Sequence, residues 1–207
     1  MYLYLVRHGE SKGNAQGLTQ CSKTELSPYG KKQAMRVARR FQKIPIEIIV
    51  SSHYTRARQT AEYIQKATNN KLIFSELLRE IKRPTIIEGK AYRCPEVIEI
   101  HKTIQEHIHE QTWHLSDEEN FFDLRNRARL FLEWIVKRKE KRICAVTHGI
   151  FLKTLLFAMM LGNNFTPDFL QYAEHFLITR NTGITLCEYN KRNEWKLITF
   201  NDHAHLG

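Results

Sequence analysis

Two stretches constrain this chain more than anything else in it. Tyr2-Leu3-Tyr4-Leu5-Val6 is an unbroken apolar run that ends in Arg7-His8-Gly9, and Ile143-Cys144-Ala145-Val146-Thr147 runs straight into His148-Gly149. Short apolar runs of this length read as strands buried on both faces of a sheet. In open α/β sheets, ligands bind outside the carboxyl ends of the strands, so each run delivers an imidazole to the place where a site forms. Arg7 adds a bidentate fork for an oxyanion. A histidine can act as a nucleophile, and Gly9 lets a backbone come close. A single Arg-His-Gly could mark a chain merely leaving the core. Two strands that each present an imidazole at the same end form a constellation, and its chemistry points to phosphate.

The rest of the chain alternates strands and helices. Residues 11–25 read as a polar loop. Ser27 is a good N-cap, Pro28 suits a first helical position, and Ala34, Val37, Ala38 and Phe41 make one apolar stripe. Ile46–Val50 predicts a second buried strand, ending in Ser51-Ser52-His53. The next helix carries Ala57, Ala61 and Ile64 on one face, so Arg56 near its start can reach back to the strand ends. Lys71–Phe74 predicts a short third strand. Beyond Glu76 the pattern changes: Pro84 cannot sit inside a helix, Gly89 marks a turn, and Pro95 opens a helix with Val97, Ile100, Ile104 and Ile108 in register. Ser116–Glu119 reads as a capping box for a helix with the stripe Leu124, Ala128, Phe131 and Ile135. The helix over 149–161 is apolar nearly all round and therefore expected to be buried. Gly183–Tyr189 and Trp195–Phe200, joined by Asn190-Lys191-Arg192-Asn193, predict an antiparallel hairpin.

Composition narrows the partners. Lys and Arg number 32 against 22 Asp and Glu, a formal charge of +10, and such a field draws in anions. No block of five or six consecutive basic residues occurs. The densest run, Lys137–Arg142, ends a helix, where cations suit the dipole. Basic residues interleaved with base-stacking aromatics are not clustered anywhere. The expected partner is a small phosphorylated substrate, with no nucleic acid and no membrane. At 207 residues and 42% hydrophobic, the chain can bury one substantial core. Cys21, Cys94, Cys144 and Cys187 stand apart with no Cys-x-x-Cys pair, as in a reducing cytosol. The first apolar run is too short for a signal peptide, and Ile150–Leu161 is too short to span a bilayer and contains Lys153. A soluble cytoplasmic protein is the expectation. His101, His107, His109 and His114 contain no i,i+4 pair, and His109-Glu110 with His114 misses the zinc-protease spacing by one residue. They read as a solvated helix face, and no metal or cofactor is expected. Nothing in the sequence sets an oligomeric state.

Four ordered blocks carry a resemblance. Arg7-His8-Gly9-Glu10-Ser11 with Asn14 opens the chain. Ser51-Ser52 with Arg56-Ala57-Arg58-Gln59-Thr60-Ala61 follows, then Leu78-Arg79-Glu80, then Thr147-His148-Gly149. Together they resemble the histidine phosphatase superfamily, the phosphoglycerate-mutase-like proteins, from Tyr2 to about Asp202, with roughly residues 90–118 uncovered. The resemblance implies a three-layer α/β/α sandwich with a mostly parallel central sheet. It is read as a single domain over 1–207, with a helical insertion at about 81–118 acting as a lid. It also implies that His8 is the nucleophile and becomes a phosphohistidine without a metal. Arg7, Asn14, Arg56 and His148 would bind the phosphate, His148 also counting as catalytic, and Glu80 would handle the leaving-group proton. Glu88 is the reserve for that last role, because Pro84 and Ile86-Ile87 occupy a stretch that is often glycine- and aromatic-rich. The implied activity is a metal-independent phosphatase acting on a small phosphomonoester. The alternatives are a bisphosphate-dependent phosphoglycerate mutase, and a non-catalytic module that binds phosphate, RNA or a phosphoprotein. Gly13, where mutases usually carry an aromatic residue, speaks against the first. The intact set His8, Arg7, Arg56 and His148 speaks against the second.

Overall fold

The computed structural model describes residues 1–207. Six strands form one sheet: β1 (Tyr2–Arg7), β2 (Ile48–Ser51), β3 (Lys71–Phe74), β4 (Arg142–Thr147), β5 (Ile184–Tyr189) and β6 (Trp195–Asp202), in the order β3-β2-β4-β1-β5-β6. The first four are mutually parallel, and only β5 runs against its neighbours. Seven helices accompany them: α1 (Lys12–Gln16), α2 (Pro28–Phe41), α3 (Thr55–Thr68), α4 (Pro95–Glu106), α5 (Phe121–Val136), α6 (Gly149–Leu161) and α7 (Pro167–Phe176).

The period-two alternation of strand side chains creates two apolar layers. Leu3, Leu5, Ile48, Val50, Ile143 and Ala145 face one way, packing with Phe131, Phe151 and Leu155 of α5 and α6. Val6, Ile49, Cys144 and Val146 face the other, against Val37 and Phe41 of α2 and Ala57 and Ile64 of α3. Each fully buried side chain of this size contributes roughly 1.5–3 kcal/mol, against a strand-propensity scale spanning about 1 kcal/mol in all. Two-sided burial, more than propensity, therefore makes these runs strands. The chain leaves β1 for α2 on one face and leaves β4 for α6 on the other. Adjacent parallel strands whose helices depart to opposite faces form a crevice at their carboxyl ends.

Register then levels the strand ends. Arg7 pairs with Thr147, and Ser51 with Val146. The pairing extends one step further: the His8 N–H donates to the Thr147 carbonyl at 2.9 Å and the Ser52 N–H to the Val146 carbonyl at 3.0 Å. His8, Ser52 and His148 consequently leave the sheet side by side.

Several local expectations are met and several are corrected. Ser27 caps α2 through the Gly30 N–H at 2.9 Å with Pro28 in the first turn, and the final hairpin is antiparallel. The second strand starts at Ile48 and not Ile46, because the Ile46 N–H is already bonded in a turn to Ile44. The loop over 11–25 contains α1, closed by a capping box in which Ser11 and Asn14 bond each other's backbone. The capping box expected at Ser116–Glu119 does not form. Glu118 turns back to the Leu115 and Ser116 N–H groups, and Glu119 is taken by two arginines. Asn120 and Asp123 cap α5 instead. α6 is buried over its first two turns only, with Met160 exposed at 67%. α7 is an addition to the expected elements.

Residues 81–118 stand at the carboxyl ends of the strands. They are stitched to the loop after α1 by a short antiparallel contact: Thr19 N–H to the Lys90 carbonyl (2.9 Å), Gly89 N–H to Thr19 (3.0 Å), Tyr92 N–H to Gly17 (2.9 Å), and a Leu18–Ala91 bridge. Below them, Glu10 accepts from the Ser27 hydroxyl at 2.6 Å, and α2 lies so close that a Cβ on Gly30 would overlap the Glu10 backbone. Gly30→Ala is expected to lower unfolding free energy by about 1–3 kcal/mol, as forced overpacking does. A urea midpoint equal to wild type would show that the β1–α2 contact is looser than described.

Candidate active site

The crevice opens into a cavity of about 280 Å³ lined by Arg7, His8, Asn14, Arg56 and Glu80, with Glu88 at its edge. Five of the six residues picked from the sequence thus meet on one surface. The sixth, His148, lies directly behind, completely buried, with its ring centroid 5.0 Å from that of His8.

His8 is held in one state. Its Nδ1 faces the Gly9 carbonyl at 2.6 Å, and a carbonyl can only accept, so Nδ1 carries the proton. Nε2 is left with its lone pair, and the Arg56 Nε–H donates to it at 3.2 Å. Burial first, then the charges of Arg56 and Arg7, push the His8 pKa well below 6.5. His148 is lowered in the same direction, by burial and then by Arg56. Its Nε2 lies 2.9 Å from the Ser52 hydroxyl. That hydroxyl accepts the Tyr54 N–H at 3.2 Å, so its proton is free to point at Nε2. This assignment makes His148 Nδ1–H a donor, buried and without a partner.

Of the two arginines, Arg56 is as buried as the imidazoles and Arg7 is partly buried. Arg56 is 3% exposed, and besides His8 it donates to the Cys21 carbonyl at 3.0 Å. Arg7 donates from Nη1 to the Thr179 carbonyl, while its Nε is buried and unpaired. Gly149 packs against that guanidinium, where even a Cβ would meet Arg7 Nε only at contact distance, 3.4 Å. Burial lowers both arginine pKa values, but a guanidinium remains charged in proteins. Neither forms an ion pair with a carboxylate. Glu80 opposes both charges across the cavity without bonding to either, and an incoming anion would offset the remaining repulsion between the two cations. Asn14 uses its Oδ1 on the Ser11 N–H at 3.2 Å, which leaves its amide N–H groups for a ligand.

Glu80 is fixed by backbone. Its Oε1 accepts from the Ile81 and Phe151 N–H groups (3.0 and 2.9 Å), and its Oε2 from Ile150 (3.1 Å). It thus covers the N-terminus of α6, where orphan N–H groups and the helix dipole favour a carboxylate. The segment carrying it is anchored from below. Arg127 bonds both oxygens of Glu119 at 2.8 Å and also the Leu77 and Arg79 carbonyls at 3.0 and 2.8 Å, and Arg79 closes on the same carboxylate. Glu88 has no such framework.

Other residues fall into place. Ser11 caps α1 and Glu10 ties α2, so both motif members are structural. Arg58 pairs with Glu62 on the surface, and His53 lies 3.2 Å from Glu76, outside the cavity. His107, His109 and His114 lie on the surface beside Glu110, Asp168 and Asp123, at 2.6, 3.3 and 2.7 Å. His101 departs from the expectation of a solvated face: it is half-buried and lines the cavity, its Nε2 buried and unpaired. The sequence carried a signal for it, since His101 lies four residues after Val97 and three before Ile104, on the inward stripe. Arg127 repeats that logic beside Leu124, Ala128 and Phe131. Ser52, Tyr54 and Asn181, whose side-chain N–H holds the His8 carbonyl at 2.9 Å, had no comparable signal.

Comparison with known proteins places the whole chain in one family. The family model of the histidine phosphatase superfamily (branch 1) matches residues 3–203. A probable phosphoglycerate mutase, GpmB of Escherichia coli, is 31% identical over 218 aligned residues, covering 100% of this chain and 95% of that one. A probable phosphatase of Schizosaccharomyces pombe is 27% identical, again over 100% and 95%. Among solved structures, Bacillus stearothermophilus YhfR superposes with a TM-score of 0.83 at 28% identity, covering 100% of this chain and 99% of that one. A mutant of the phosphoserine phosphatase of Entamoeba histolytica, in complex with phosphoserine, superposes with a TM-score of 0.79 at 26% identity and the same coverage. The fold, the cavity and these likenesses converge: the chain belongs to the histidine phosphatase superfamily.

Proposed function

We propose that the protein hydrolyses a small phosphomonoester through a phosphohistidine on His8, without a metal. One observation carries this reading: the Gly9 carbonyl fixes the proton on Nδ1, and Nε2 remains a lone-pair nucleophile facing buried cations. In the first step the Nε2 lone pair attacks phosphorus. The P–O bond to the alcohol breaks, and Glu80 passes a proton to the departing oxygen. In the second step Glu80 takes a proton from water, the water oxygen attacks phosphorus, and the P–N bond breaks to release phosphate. Phosphoryl transfer asks mostly for positioning and charge stabilisation. Arg7 Nε–H, Arg56, His148 Nδ1–H and the Asn14 amide are the donors the site offers the peripheral oxygens.

The names of the relatives support phosphate-ester chemistry, since probable phosphatases and probable mutases both align along the whole chain. The mutase is the second reading, favoured by the 31% identity to GpmB. Bisphosphate-dependent isomerisation of a phosphoglycerate, at a rate exceeding its hydrolysis, would assign it.

The first test is hydrolysis of a chromogenic phosphomonoester in the presence of EDTA. Wild type is expected to turn over and to accept a radiolabelled phosphoryl group, whereas His8→Ala does neither; labelling of the variant would remove His8 from the reaction. Glu80→Gln is expected to cost roughly 10²–10⁴-fold in kcat, the usual contribution of a general acid. The loss should be largest for alkyl esters and smallest where the leaving group departs as a stable phenolate. Glu88→Gln with the larger loss would exchange the two roles.

The pH dependence follows from the two lowered histidines. His8 reacts unprotonated, and its pKa in the folded free enzyme lies well below 6.5. The acid limb of kcat/KM is therefore expected below pH 6.5, not at it. Stability shifts in the same direction. The unfolded imidazoles bind protons at about 6.5 and the folded ones only at lower pH. The stability contributed is therefore complete above pH 6.5 and is lost as pH falls through the folded values. Urea midpoints that stay constant from pH 7 to 5 would contradict the buried, neutral pair.

A further inference from the structure

The cavity continues outward from His8, and its outer part has a chemistry that the transferred phosphoryl group does not use. Of its 19 lining residues only four are hydrophobic, so it is not shaped for an apolar leaving group. Beyond Arg7 and Arg56 it holds three more cations, Lys82, Arg83 and Lys153, against the carboxylates Glu80 and Glu88. Two of those three are already occupied: Lys82 lies 3.0 Å from Asp117, and Lys153 donates to the Glu174 carbonyl at 3.1 Å. Glu80 is committed to backbone N–H groups. Arg83 is the cation left with no side-chain bond. Its backbone is nevertheless firmly set. The Lys82 N–H donates to Glu119 at 3.0 Å, the Lys82 carbonyl accepts the Glu119 N–H at 3.0 Å, and the Thr85 N–H donates to Asp117 at 2.9 Å, with Pro84 between them.

His101 belongs to the same rim. Both it and Arg83 stand where the cavity meets a second one lined by Ile104, Ile108 and Trp113. The Nε2 of His101 is buried and unpaired, a condition that native structures seldom leave without a partner. The two side chains line both cavities together, and burial and then the charge of Arg83 lower the His101 pKa. A planar fork and an imidazole nitrogen with no protein partner on one rim suit a second oxyanion, which would select the tautomer that donates from Nε2.

We propose that Arg83 and His101 form a second oxyanion subsite, so that the preferred substrate is a phosphomonoester bearing a further anionic group, a carboxylate or a second phosphate. The inference rests on the phosphatase reading only in placing the first phosphoryl group at His8. The two residues act as specificity determinants, taking no part in proton or phosphoryl transfer.

The test is binding, measured by calorimetry on the His8→Ala protein, which removes turnover. Two matched pairs are compared: 3-phosphoglycerate against glycerol 3-phosphate, and fructose 1,6-bisphosphate against fructose 6-phosphate. The doubly anionic member of at least one pair is expected to bind at least about tenfold more tightly, as a charge-assisted contact implies. The first pair reports a carboxylate and the second a phosphate. Adding Arg83→Gln or His101→Asn should bring that ratio towards one, and Arg83→Lys should restore part of it. A ratio within twofold of one for both pairs would overturn the subsite. A ratio that survives both added substitutions would overturn its assignment to these residues. Unchanged urea midpoints in the variants separate lost contact from lost fold. Failure of His8-intact protein to hydrolyse any ester would count against the phosphatase reading alone, because the binding ratio does not depend on turnover.

Discussion

The pairing register of β1 against β4 is the constraint on which everything functional here depends. Because Arg7 lies opposite Thr147, the next residue on each strand is a histidine, and the two rings come to 5.0 Å. Side chains alternate along a strand, so a slip of one residue would exchange the faces of a whole strand. Leu3 and Leu5 would then turn toward α2 and α3, and Val6 toward α5 and α6. The two apolar layers resist that slip, and in doing so they hold His8 beside His148. Packing energy thus sets catalytic geometry, with no contact between the core and the substrate.

The site built on this frame is electrostatically unfinished. Two imidazoles are buried neutral, the Arg56 guanidinium is buried and that of Arg7 partly so, and no carboxylate bonds to either arginine. Yet ion pairing is abundant a few residues away, where Glu119 receives Arg79 and Arg127 together. The contrast is informative. The fold pairs Arg79 and Arg127 with a shared carboxylate and leaves Arg7 and Arg56 without a bonded one, as a site proposed to receive an anion requires. Stability is given up at one place and recovered at the other, a division common to functional sites.

Most of the framework could be read from the chain, because it is written in periodicities and caps. The strands at Tyr2 and Ile143, the stripe of α2 with its Ser27 cap, and the closing hairpin each follow from local pattern. Arg7, His8, Asn14, Arg56, Glu80 and His148 were legible as a set because their blocks recur in a known order, and the structure gathers them. What was not legible has physical causes. Ser116–Glu119 has the composition of a capping box, but long-range arginines claim Glu119, and no local pattern reports a partner eight residues away on another surface. His101 reads as solvated because polar residues usually are, although its place on the Val97–Ile104 stripe says otherwise. The tautomer of His8 and the contact from Ser52 to His148 depend on the meeting of strands distant in sequence.

The stitch between residues 17–19 and 89–92 divides the labour of the site in a way that bears on its evolution. It joins the rim to the loop that follows Asn14, so the inner end of the cavity and the wall above it share one backbone framework. Most bonds of that framework are made by main-chain atoms, the Thr19 hydroxyl and a Lys90–Glu96 ion pair adding to them, and the side chains of Ile100, His101 and Ile104 on α4 take no part in it. Sequence drift along the inward face of that helix can therefore retune what is recognised without disturbing how the phosphoryl group is held. A chain organised this way can change its diet while keeping its teeth.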